Sequence, residues 1–141
     1  MKYLLSFILF FAPISSQPAD HLQLSDLDEL RWKNRIILIF SNDFDTYKKQ
    51  LEASSDEIAD RDIIWFIVSD SGMVTNYKGS FAEDLSAKIN KEHSNSDTKV
   101  ILIGKDGGIK ARASNLYLSD LFQQIDAMPM RIYEIKQKNG N

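Results

Sequence analysis

The chain has 141 residues, 43% of them hydrophobic and 26% charged, with a formal net charge of −3 and no cysteine. Those totals suit one domain with its own core and are too small for two. The mildly acidic balance argues against nucleic acid or an anionic membrane surface as partner, and the missing cysteine removes disulfides and thiol catalysis altogether.

The first twenty residues, "MKYLLSFILFFAPISSQPAD", carry one early charge, Lys2, then an apolar run from Tyr3 to Ala12, then small and polar residues. This is the pattern of a secretory signal peptide, here residues 1–16, with cleavage expected between 16 and 19. The run is shorter than the roughly 20 residues a bilayer crossing takes, so no membrane span is expected after cleavage. The expected location is the periplasm or the medium. Loss of Lys2 with the leader would move the net charge from −3 to −4.

The domain is expected over residues 22–134, with 135–141 a disordered tail. "LQLSDLDELRWKNR" places Leu24, Leu27 and Leu30 at helical spacing behind Ser25 as N-cap, with Trp32 packed beneath. "IILIF", ending at Phe40, reads as a strand buried on both faces, and Tyr47, Leu51, Ser54 and Ile58 mark one face of the helix that follows. "RDIIWFIVSD" is a second buried strand, with Trp65 and Phe66 in the core, and "DSGMVTNYKG" reads as loop. Ser80 and Glu83 have capping-box spacing ahead of Phe81, Leu85 and Ile89. Val100–Ile103 and Ile109–Ala113 form a hairpin around "KDGG", and a last helix through Leu118, Leu121, Phe122, Ile125 and Met128 stops at Pro129.

The order is β-α-β-α-β-β-α after a short helix. Two buried strands joined by a helix imply a parallel pair with a right-handed crossover. The closing hairpin adds antiparallel strands. The expected fold is α/β and thioredoxin-like, a mixed sheet of about four strands, preferred over a flavodoxin-like sheet, which needs more parallel strands.

The stretches "RWKNRIILIF", "RDIIWFIVSD", "VILIGKDGGIKAR" and "IDAMPMRIYE" together resemble DUF4174, a family of bacterial exported proteins carrying a domain of unknown function. A similar domain occurs in vertebrate matrix proteins such as the sushi-repeat-containing X-linked protein and coiled-coil-domain-containing protein 80. The resemblance runs from about Leu27 to Glu134 and implies a thioredoxin-like fold related to peroxiredoxins. It implies no established activity. Thioredoxins place a Cys-x-x-Cys motif where this chain has Asp45, Thr46, Tyr47 and Lys48, and a cis-proline where it has Asp97 to Lys99.

Asp43 and Asp45 follow the first strand, where open α/β sheets place ligands, yet both are also the residue type that caps a helix. The expected contact surface is Asp43, Phe44, Asp45 and Tyr47, meeting an extracytoplasmic protein or envelope component. The alternative is a carboxylate enzyme, with or without a metal, using Asp43, Asp45 and Arg112. Lys110, Arg112 and Arg131 could form a small anion site, though a solvated face is the plainer expectation. "GKDGG" lacks the spacing of a phosphate loop, and His21 and His93 lack metal-ligand spacing, so no cofactor or metal is expected.

Overall fold

A computed structural model describes residues 23–140. The expected leader, its cleavage region and His21 lie outside the described residues.

The two apolar runs become the central strands. β1 (Arg35–Phe40) pairs in parallel with β2 (Ile63–Ser69), from Arg35↔Ile63 to Phe40↔Val68. Between them lie α1 (Phe44–Glu52) and α2 (Ser55–Asp60), two short helices in place of the single one expected. Leu51 and Ile58 are buried as the spacing predicted.

The sheet has five strands rather than four. "DSGMVTNYKG" holds β3 (Gly72–Thr75), which pairs antiparallel with β2 at one edge. Four half-buried residues give no apolar alternation to read. The turn into this strand needs Gly72, whose φ of +142° is a conformation that side chains rarely adopt. Beyond β3, Asn76 takes over the pairing: its Oδ1 accepts from the Trp65 amide at 2.8 Å and its Nδ2 donates to the Ile63 carbonyl at 3.2 Å.

On the other side of β1, β4 (Val100–Ile103) and β5 (Ile109–Ala113) form the expected hairpin, giving the order β3-β2-β1-β4-β5. A register shift between Leu102 and Ile103 leaves Lys110 as an extra residue in β5.

Strand pleating divides the core into two layers. Ile37, Ile39, Trp65, Ile67 and Leu102 face one way, packing with α1, α2 and α4 (Leu118–Asp126). Ile36, Leu38, Phe66, Val68 and Ile101 face the other, packing with Leu24, Leu30 and α3 (Leu85–His93).

Several local expectations are corrected. Asp26, not Ser25, caps the first turn, a 3-10 helix at Leu27–Leu30, and Glu29 accepts from the Ser25 and Asp26 amides. Ser80 caps nothing: its carbonyl accepts from the Leu24 amide in a short bridge between Leu24 and Phe81, so α3 begins later, after Asp84. Pro129 does end α4, but it also opens α5 (Pro129–Asn139), where a proline at the first turn loses no helical bond. Most of the expected tail is therefore helix, tied down where Lys138 donates to Asp60 at 2.8 Å.

Candidate functional site

The loop at the carboxyl end of β1 is occupied with structure. Asp43 accepts from the Thr46 amide at 3.1 Å through Oδ1, and its own amide donates to Ser41 Oγ at 3.1 Å. It is the N-cap of α1, and Asp45 sits exposed in the first turn, where a negative charge complements the helix dipole. Phe44 and Tyr47 are half-buried against the first core layer, and Lys48 pairs with Glu52 at 3.7 Å. Asp43→Ala is expected to cost about 1 kcal/mol, the usual value of a lost cap, and chemical denaturation will measure it.

Arg112 does not join these carboxylates. It stands opposite Ile101 in the β4–β5 register, and Ile101 belongs to the second core layer, whereas Phe44 and Tyr47 pack on the first. The sheet separates them. No group of three or more His, Asp or Glu placed to hold a metal occurs among the described residues.

The densest chemistry lies at the opposite end of the sheet. Arg35, the first residue of β1, is 1% exposed and donates to Glu134 of α5 from Nη1 at 3.1 Å and Nη2 at 3.3 Å. Lys105, just after β4, donates to Glu134 at 2.6 Å and to Asp62 at 2.9 Å. Arg131 is buried against Asp60 and Asp126, which removes it from any anion site with Lys110 and Arg112. Arg61 grips Asp126 through Nε and Nη2 at 3.0 and 2.8 Å while lying 4.5 Å above the Phe122 ring.

These partners tune one another. Burial pushes the Glu134 carboxyl upward, but hydrogen bonds from Arg35 and Lys105 outweigh it and hold the group below the usual range. Lys138 and Arg131 hold Asp60 at about 2. Asp126 is lowered chiefly by Arg61. Sequence reasoning missed this network, because each charge stands alone beside an apolar run and its partners are as many as 99 positions away. One signal was available: Arg35, Arg61, Lys105 and the trio Asp126, Arg131 and Glu134 fall in the four stretches that carry the family resemblance.

Trp32 is the other departure. Expected in the core, it is 64% exposed and adopts φ +67°, closing the 3-10 turn where glycine is usual. Its amide donates to the Lys105 carbonyl at 2.7 Å, which ties the backbone of this turn to the segment after β4.

Fold and site together define a thioredoxin-like domain without a thiol. Residues 26–134 match the family described as Domain of unknown function (DUF4174), and the chain belongs to that family. Among solved structures it is similar to the reduced 2-Cys peroxiredoxin of Plasmodium vivax, at 16% identity and a TM-score of 0.50, over 77% of this chain and 84% of that one. At that identity the likeness is one of fold. No curated protein matches the chain.

Proposed function

We propose that the chain is an exported, non-catalytic binding module whose contact surface centres on Trp32 and whose partner is an extracytoplasmic protein. The observation that carries this reading is the conformation of Trp32. A bulky residue at positive φ is a true outlier, costing of order 1–3 kcal/mol, and such strain concentrates at functional sites. Inside the fold one backbone hydrogen bond, to the Lys105 carbonyl, holds this conformation, while most of the residue faces water. Tryptophan is also enriched at protein interfaces, where it often carries much of the binding energy.

The loop of Asp43, Phe44, Asp45 and Tyr47 is the rival surface. Its apolar side chains are half-committed to the core and its first carboxylate to a cap, so it has less to offer a partner. Carboxylate chemistry there lacks Arg112, which lies across the sheet.

Affinity capture from the source organism's envelope fraction separates the two surfaces. Trp32→Gly is expected to fold with an unchanged or higher melting temperature, because glycine accepts this φ freely, and to lose the partner. The paired change Phe44→Ala with Asp45→Ala is expected to retain it. Capture indifferent to Trp32→Gly but abolished by the loop variant would transfer the role to the loop.

A further inference from the structure

A guanidinium has five N–H donors, and Arg35 uses three of them. Nη1 donates to the Arg61 carbonyl at 3.0 Å and to Glu134, and Nη2 donates once to Glu134. That consumes the end fork. Nε is buried and has no hydrogen-bond partner among the described residues. Together with the second hydrogen of Nη2 it makes up the side fork, whose two parallel donors match the two oxygens of a carboxylate. A buried donor left unmatched is uncommon in native proteins and calls for a physical reason.

Arg35 also lines a cavity of about 270 Å³ shared with Lys105, Asp106, Lys110, Met128, Pro129 and Met130. One wall of the opening carries Arg35, Lys105 and Lys110 with the Asp106 carboxylate, and the other is apolar. Cations hold the deeper positions in the neighbouring network: the Lys105 side chain is 9% exposed, against 18% for Glu134 and 48% for Asp62. Charges nearer water are screened more strongly, which favours the deeper cations over their partner carboxylates. Lys110 pairs with Asp106 at 2.7 Å, and both line the cavity. The two methionines have the torsional freedom to part around a ligand.

We propose that this cavity binds a monocarboxylate bearing a short apolar substituent. The carboxylate oxygens sit on the side fork of Arg35, Lys110 adds a second positive charge, and the substituent lies along Met128, Pro129 and Met130. The volume is below that of pockets for drug-sized ligands, which begin near 300 Å³. The acid group is supplied either by a free short-chain acid or by the carboxyl terminus of a peptide. This inference does not depend on the role of Trp32.

The test is a titration of the ¹⁵N-labelled protein with sodium butyrate, followed at the Arg35 Nε–H resonance. A saturable shift is expected with a Kd of about 1 mM or tighter, absent with the neutral isostere butyramide. Met130→Trp, which fills the cavity from its exposed side without touching the Arg35–Glu134 pair, is expected to weaken binding at least about tenfold at this affinity scale. N-acetyl-dialanine binding more tightly than butyrate assigns the carboxylate to a peptide terminus, and the reverse order assigns it to a free acid. The proposal is overturned if butyrate produces no saturable shift, if butyramide or inorganic phosphate reproduces it equally, or if folded Met130→Trp binds like wild type.

Discussion

Glu134→Ala will be the most damaging single change at the charged end of the sheet. Removing that carboxylate takes two of the three acceptors from Arg35 and one from Lys105, and it withdraws the negative charge 3.7 Å from Arg131. Arg35 has little access to water for compensation, because it is only 1% exposed. Breaking a buried pair from one side costs about 3–5 kcal/mol, a large share of the roughly 5–15 kcal/mol that holds a domain folded. For a domain of this size the melting temperature is expected to fall by about 10–25 °C. The double variant Arg35→Met with Glu134→Leu is expected to lose much less than Glu134→Ala alone, since no orphaned charge remains and Lys105 keeps Asp62. Urea denaturation with unchanged m-values will measure both. A loss under about 1 kcal/mol for Glu134→Ala is what an ordinary surface pair gives, and it would remove the network from the account of stability.

Acid is expected to act through the same residues. Asp60, Asp126 and Glu134 are all held below their ordinary values in the folded protein, as are Asp26 beside Lys88 and Asp106 beside Lys110. Each lowered carboxyl binds fewer protons when folded than when unfolded at acidic pH. Stability therefore rises with pH through this range, is complete above the unfolded values and drains away as pH falls through the folded ones. For Asp60 the window runs from its ordinary 3.8 down to about 2. Melting temperature measured from neutral pH to about 2 should fall steeply at the acid end. Glu134→Gln and Asp60→Asn should each flatten that fall. The Asp60 effect should shrink with added salt, because its side chain is 49% exposed and its pairs are partly screened.

The two predictions concern a part of the molecule that periodicity does not reveal. Apolar patterning reports burial by face, and it located β1, β2, β4, β5, α4 and the buried positions of α1, α2 and α3. It failed at β3, where four half-buried residues have no alternation, and at α5, whose buried face is charged: Arg131 and Glu134 stand where a helix ordinarily shows leucine. A charged residue read alone counts as surface. Only its partner makes burial affordable, and the partner is invisible until the chain is folded.

Composition and pattern alone determined the mixed α/β sheet and the loss of thiol chemistry, because burial periodicity and the absence of cysteine are properties of the chain itself. Tertiary structure alone decided that Arg112 lies across the sheet from Asp43 and Asp45, that Trp32 faces water at positive φ, and that Arg35 meets Glu134. Those facts depend on sheet register and on helix docking between residues far apart in sequence, and no local propensity encodes them.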